Sequence, residues 1–224
     1  MSAAAPLDEG ARASLERFLA LLAAAPASLS TATEPGRAWD VHVRDSLSGL
    51  AVEELREARR IADLGSGPGF PGVAIAAVRP AAQVDLIESV GRKCRFLAEA
   101  LEGAGISNAS VVCGRSEEWA VAEGREAYDV VTARAVGGLT TIAELASPLL
   151  RPGGALVAWK GRRERAGEER LAAAGEGLAM GPAKVVEVVP FRGSRPRHLY
   201  VIHKLGPTPE RLPRRPGMAR KRPL

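Results

Sequence analysis

The run Asp63-Leu-Gly65-Ser-Gly67-Pro-Gly69-Phe70-Pro-Gly72 restricts what this chain can fold into more than any other stretch. With four glycines and two prolines in ten residues it can neither extend a strand nor continue a helix, so it must turn. A short apolar run, Arg60–Leu64, leads into it, and Gly72–Val78 leaves it with helical spacing. A strand that enters a glycine-rich turn and then a helix begins an open α/β sheet, whose ligands lie at the carboxyl ends of the strands.

The same alternation continues downstream. Strands are expected at Gln83–Glu88, Ala109–Cys113, Tyr128–Arg134 and Ala155–Lys160, with helices at Arg92–Ala104, Glu117–Glu123, Leu139–Leu150 and Arg162–Leu178. Such alternation requires a parallel sheet covered on both faces. Two last runs, Lys184–Pro190 and Leu199–Leu205, have only a polar turn between them and pair as an antiparallel hairpin. Upstream, Leu7–Ala25 carries apolar residues at Leu15, Phe18, Leu19 and Leu22, and helices are also expected at Trp39–Leu50 and Val52–Arg59, with a break at 28–34. The expected organisation is a helical cap (1–59), an α/β domain (60–205) and a basic C-terminal arm (206–224). Its mostly parallel seven-stranded sheet, closed by a hairpin, is the layout of Rossmann-like S-adenosylmethionine-dependent methyltransferases.

The turn itself argues for that ligand. A dinucleotide fingerprint places glycines at its first, third and sixth positions, whereas here they stand first, third and fifth and the sixth is Phe70. This suits a ligand without a pyrophosphate: Gly65, Gly67 and Gly69 pass under the aminoacyl part of S-adenosylmethionine, and Asp63 holds its ammonium directly or through water. Glu88 ends the second strand and is placed to accept both ribose hydroxyls. Ser116-Glu117 falls where an adenine edge lies, or else is a helix cap with its first-turn acid. Arg134 closes the fourth strand, either at the ligand edge or paired with an acid. Lys160 closes the fifth, either touching a phosphate or snorkelling to water.

Charge is unevenly distributed. Residues 1–190 carry 21 Lys and Arg against 25 Asp and Glu, while residues 191–224 carry 10 against 1. A mildly acidic body with a strongly basic end fits a polyanion-binding arm, or a solvated tail. Aromatic residues are only 4% of the chain, so the core must rest on Ala, Val, Leu and Ile. Cys94 and Cys113 lack CxxC partners, so neither a disulfide nor a metal site is expected. The apolar run Phe18–Ala25 is too short to span a bilayer and no export signal precedes it, which points to a cytoplasmic protein with no membrane contact.

The acceptor follows by elimination. Pyrimidine carbon methylation needs a cysteine nucleophile at the strand ends, and neither cysteine is placed there. Exocyclic amine methylation uses an Asn/Asp-Pro-Pro-aromatic run after the fourth strand, where this chain has Arg134-Ala-Val-Gly-Gly. Ribose oxygen methylation needs a lysine activated by acids, and no carboxylate follows that strand. An acceptor with a free lone pair remains, such as a purine N7, for which alignment and desolvation suffice. No catalytic residue is then required; Arg134 and Lys160 are the candidates.

The chain resembles the bacterial 16S ribosomal RNA guanine-N7 methyltransferases, the glucose-inhibited division protein B family. His42-Val-Arg-Asp45-Ser-Leu47, the Asp63–Gly72 loop, Glu88-Ser with Arg92-Lys93-Cys-Arg-Phe-Leu97, Gly114-Arg-Ser-Glu-Glu118, Ala133-Arg134-Ala135, Lys160-Gly161 and the tail Pro213-Arg-Arg-Pro-Gly217 with Lys221-Arg-Pro-Leu224 carry the resemblance. It implies that Gly65, Phe70, Ser116, Glu117 and Arg134 contact S-adenosylmethionine and that the acceptor is guanosine 527, in the 530 loop of 16S rRNA. It also implies a monomer acting on the small ribosomal subunit, with Arg214, Arg215, Arg220, Lys221 and Arg222 neutralising phosphates and Arg92 and Lys93 extending the track. His42 and Asp45 either order the cap over the site or form a structural pair. Two departures stand out: Ser28-Leu-Ser30 replaces a usual Asn-Leu-Thr, and Leu212 a usual tyrosine. The competing readings are a methyltransferase of this fold acting on another RNA, a protein or a small molecule, and a non-catalytic RNA-binding protein.

Overall fold

In the computed structural model residues 7–25 and 34–224 are described; Ser28-Leu-Ser30 and most of the break expected at 28–34 lie outside them. Seven strands, β1 (Arg60–Leu64), β2 (Gln83–Glu88), β3 (Ala109–Cys113), β4 (Tyr128–Arg134), β5 (Leu150–Lys160), β6 (Lys184–Val188) and β7 (Arg197–His203), form one sheet in the order β3-β2-β1-β4-β5-β7-β6. The first five strands run parallel, and β7 is antiparallel to both of its neighbours. This is the expected α/β architecture with its C-terminal hairpin. Helices α1 (Glu9–Ala24), α2 (Pro35–Ala38), α3 (Asp45–Leu47) and α4 (Glu53–Glu57) form the N-terminal cap. Next come α5 (Gly72–Val78), α6 (Gly91–Ala104), α7 (Ser116–Trp119), α8 (Leu139–Ala146), α9 (Arg165–Leu178) and α10 (Met218–Lys221).

Strand residues alternate between two cores, as a period of two requires. Ile61, Leu86, Val130, Val157, Trp159, Leu199 and Val201 face the side covered by α1, α5 and α6. Ala62, Ile87, Val131, Leu156, Ala158, Tyr200 and Ile202 face the side covered by α8 and α9, which also takes Leu212 and Ala219 from the tail. α1 is started by Asp8, whose carboxylate accepts the Gly10 and Ala11 N–H groups. Its Leu15, Phe18, Leu19 and Leu22 are the buried stripe, as the spacing predicts. Phe18 meets Phe70 and Phe96 edge-on at 5.6 and 5.9 Å, and a side chain so buried contributes about 1.5–3 kcal/mol.

Several boundaries differ from the sequence expectation, each for a local reason. The stretch Trp39–Leu50, expected as one helix, is a π-helical turn at Trp39–Arg44, then α3 and a 3-10 turn at Ser48–Ala51, and α2 precedes it. The wide turn brings His42, Val43, Asp45 and Ser46 inward together; π-turns of this kind concentrate at functional sites. α8 stops at Ala146, and β5 begins already at Leu150 and passes through Pro152-Gly-Gly. Gly154 permits this, because a Cβ there would lie 2.8 Å from the Asp129 carbonyl oxygen. α7 is shorter than expected and α9 begins at Arg165 rather than Arg162. The hairpin strands also end two residues earlier, at Val188 and His203.

The cysteines correct a stronger expectation: Cys94 and Cys113 are joined in a disulfide. β3 lies beside β2 with Cys113 opposite Glu88, and α6 starts just after β2, so the two Cα atoms come within 5.6 Å. Nothing in spacing along the chain signals that approach. Among the described residues no helix is long and apolar enough to cross a membrane, and no cluster of His, Cys, Asp and Glu is arranged to hold a metal ion.

Candidate active site

A cleft of about 510 Å³ opens at the carboxyl ends of β1, β2, β3 and β4. Its floor is the Asp63–Gly72 loop. Gly65 and Ser66 N–H groups donate to the Ile87 carbonyl at 2.9 and 3.1 Å, and Gly69 N donates to Ser66 O at 2.8 Å. Gly65, Gly67 and Gly69 have φ of +68°, +57° and +108°, a region closed to most side chains. At Gly69 space is closed as well: a Cβ would lie 2.8 Å from Val73 Cγ2 and 3.0 Å from both Leu97 and Phe18.

Asp63 is placed differently from the expectation. Its carboxylate is wholly buried beneath the loop and does not line the cleft. One oxygen accepts from Thr132 Oγ1 at 2.8 Å and the other from Gly72 N at 3.1 Å. Burial pushes its pKa up to about 6, against the lowering effect of those hydrogen bonds. Wholly buried, the carboxylate pins the loop's return into α5 through Gly72. Glu88 does line the cleft. Its carboxylate accepts from Gly67 N at 2.9 Å and Val90 N at 2.8 Å, and Lys93 Nζ stands 4.0 Å away.

Phe70 is held from the cap: the His42 ring stacks on it with centroids 4.9 Å apart and planes 15° from parallel. Asp45, 3% exposed, receives Arg134 Nη1 on one oxygen at 2.9 Å and Arg197 Nε on the other at 2.7 Å. Its backbone carbonyl accepts Trp159 Nε1 at 3.0 Å. His42 and Asp45 thus join the cap to the loop and to the ends of β4 and β7. Arg134 lines the cleft and is paired with an acid, Asp45. Lys160 donates to the Gly137 carbonyl and pairs with Glu164 at 3.1 Å, so it braces the β4–α8 loop.

At the β3 end, Ser116 Oγ donates to Glu117 Oε2 at 3.1 Å and both residues line the cleft. The basic tail is no loose arm. Arg214 makes two 2.6 Å bonds to Glu144, itself 3% exposed, and Gly217 N donates to Glu117 Oε1 at 2.8 Å. Arg214 is therefore already neutralised, whereas Arg92, Arg215, Arg220, Lys221 and Arg222 are exposed. Sequence reasoning missed Arg197, Val136 and Gly217, because their partners are far away along the chain.

The molecule brings Gly65, Gly67, Phe70, Glu88, Ser116, Glu117 and Arg134 onto one cleft, while Asp63, Gly69 and Lys160 do not line it. Comparison with known proteins agrees with that picture. The profile of the GidB family, described as rRNA small subunit methyltransferase G, matches residues 11–199. A relative of that name from Rubrobacter xylanophilus is 41% identical over 94% of this chain and 82% of its own. Another from Symbiobacterium thermophilum is 41% identical over 88% and 82%. The fold matches that of the O-methyltransferase TomG from Streptomyces achromogenes, solved in complex with SAM, with a TM-score of 0.55 and 19% identity over 91% of this chain and 92% of that one. The chain belongs to the GidB family of small-subunit ribosomal RNA methyltransferases.

Proposed function

We propose that the protein transfers a methyl group from S-adenosylmethionine to N7 of a guanosine in 16S rRNA, guanosine 527 of the 530 loop. The observation that carries the reading is the cleft itself, in a chain of this family. It has a floor at the end of β1 that turns on Gly65 and Gly67, both in the left-handed region, and a carboxylate, Glu88, facing it from the end of β2. This donor set fits the cofactor. Glu88 retains lone pairs for a ribose diol, Ser116 and Glu117 offer polar atoms at an adenine edge, and Phe70, Ile87 and Leu145 supply apolar wall.

When bound, S-adenosylmethionine supplies a methyl group activated by its sulfonium. The chain's own residues then align and desolvate. Guanine N7 already carries a lone pair, so no side chain has to remove a proton before transfer, and positioning alone can supply many orders of magnitude. Asp45 pairs with Arg134 and so offsets part of the positive charge that this side chain brings to the cleft. Arg92, Arg215, Lys221 and Arg222, all exposed, are the residues for RNA phosphates. The substrate is 16S rRNA within the small subunit, met in the cytoplasm by a monomer.

Calorimetry with S-adenosylmethionine and with NAD, followed by methyl transfer to undermethylated small subunits and to naked 16S rRNA, tests this. Binding of the first ligand alone, and transfer mapped by N7-specific chain cleavage to a single guanosine of the small subunit, are expected. Methylation at another atom, or heat with NAD only, refutes it.

A further inference from the structure

Across the cleft lies the C-terminal segment. Gly217 N is bonded to Glu117 at the β3 end, and Arg220 Nη2 donates to the Val136 carbonyl at 3.2 Å at the β4 end. Between them Ala219 is 3% exposed and its carbonyl accepts from Thr141 Oγ1 at 3.3 Å. Arg214 and buried Leu212 fix the segment upstream. It therefore crosses from the β3 end of the cleft to the β4 end, and Gly217, Ala219 and Arg220 are part of the lining.

The cations around this cleft are not equivalent. Lys93 faces Glu88, Arg134 is bound to Asp45, and Arg115 lines the cleft just after β3, two strands away from β1 and its glycine floor. Arg220 takes part in no ion pair among the described residues, its recorded partner being a neutral carbonyl. That carbonyl belongs to Val136, whose side chain stands so close to Gly65 that a Cβ there would meet it at 3.1 Å. Arg220 is thus anchored beside the part of the glycine floor that, in the function proposed above, underlies the aminoacyl end of the methyl donor. That end bears a carboxylate, and a guanidinium is the group that binds a carboxylate through charge-assisted hydrogen bonds.

We infer that Arg220 receives the α-carboxylate of S-adenosylmethionine and that Gly217, Ala219 and Arg220 form a wall of the cofactor site. The inference rests on the proposed function and reassigns Arg220 from the RNA track to the cofactor.

Equilibrium binding of S-adenosylhomocysteine and of methylthioadenosine, which lacks the aminoacyl carboxylate, separates the possibilities. Wild type is compared with Arg220→Gln, Arg220→Lys and Arg215→Gln, each checked for an unchanged melting temperature. Arg220→Gln is expected to weaken S-adenosylhomocysteine by about tenfold or more and to leave methylthioadenosine affinity as in wild type. Arg220→Lys is expected to fall between, and Arg215→Gln to change neither ligand. Unchanged S-adenosylhomocysteine affinity in Arg220→Gln, or an equal loss for both ligands, overturns the assignment while the proposed function stands. Wild-type protein that binds neither ligand overturns both.

Discussion

Replacing Asp63 by Asn tests the reading of the loop without emptying the site. The amide fits the same space: its oxygen can accept from Gly72 N, and its NH₂ can donate to Thr132 Oγ1. The displaced hydroxyl proton can turn to the Ala62 carbonyl, which is 3.4 Å away. What changes is titration. Folding lifts the Asp63 pKa from the ordinary 3.8 to about 6, chiefly through burial. An acid whose pKa is raised on folding binds its proton more tightly in the native state, so its contribution to stability is fully present below pH 3.8 and is lost as pH rises through 6. Integrating that linkage gives a loss of about 1.3 kcal/mol between pH 5 and pH 7 from this group. For a chain of this length the loss lowers the melting temperature by about 3–5 °C. Urea denaturation of wild type and Asp63→Asn across pH 5–7 measures the difference with the other titrations cancelled. Wild type should gain on the variant as pH falls. A gap that is constant with pH, or that widens in the opposite direction, refutes the account of a desolvated carboxylate under the loop.

Gly69→Ala combines an unfavourable φ with contacts at or below 3.0 Å to Val73, Leu97 and Phe18, and is expected to cost about 2–4 kcal/mol in urea denaturation; a loss under 1 kcal/mol contradicts the packing described. Asp45→Asn leaves Arg134 and Arg197 facing each other without their shared anion and is expected to cost about 2–4 kcal/mol. Part of that loss should return in the double variant with Arg197→Gln, and strict additivity would separate the two residues. Neutralising Arg215, Lys221 and Arg222 together should flatten the dependence of RNA affinity on salt by about two log units per log unit, at roughly 0.7 per phosphate contact on single strands. An unchanged slope removes these residues from the RNA surface.

What could be read from the sequence was what repeats at short range. Ile61 and Ala62, or Leu199 and Tyr200, alternate with period two and go to opposite cores, and the α1 stripe recurs every three to four residues. The glycine turn was legible for the same reason, since the backbone conformation it needs is written in consecutive residues. Pairings across the fold were not. Asp45 meets Arg134 and Arg197 across 89 and 152 residues, and Glu144 meets Arg214 across 70. An isolated charge carries no mark of which distant charge neutralises it, so Arg214 looked like an RNA contact and Arg134 had two readings. The disulfide failed similarly, because its closure depends on β3 lying beside β2. Asp63 looked like a ligand group because its position along the strand is visible in sequence and its burial is not.

Phe70 explains why cap, sheet and tail have to be considered together. One edge of its ring meets Phe18 of α1, a face is stacked by His42 from the π-helical turn, and it also forms part of the cleft lining that the tail completes through Ala219 and Arg220. Without α1, Phe70, Val73 and Leu97 would lose the aromatic ring that covers them, and the glycine at position 69, which tolerates no side chain against that same ring, would lose the surface it is fitted to. Residues in the left-handed region persist only where their surroundings hold them. The floor of the cleft therefore takes its shape from helices that precede the sheet as much as from the strand that carries it, and a substitution as remote as Phe18→Ala acts on the cleft through Gly69 and Phe70 without touching a ligand.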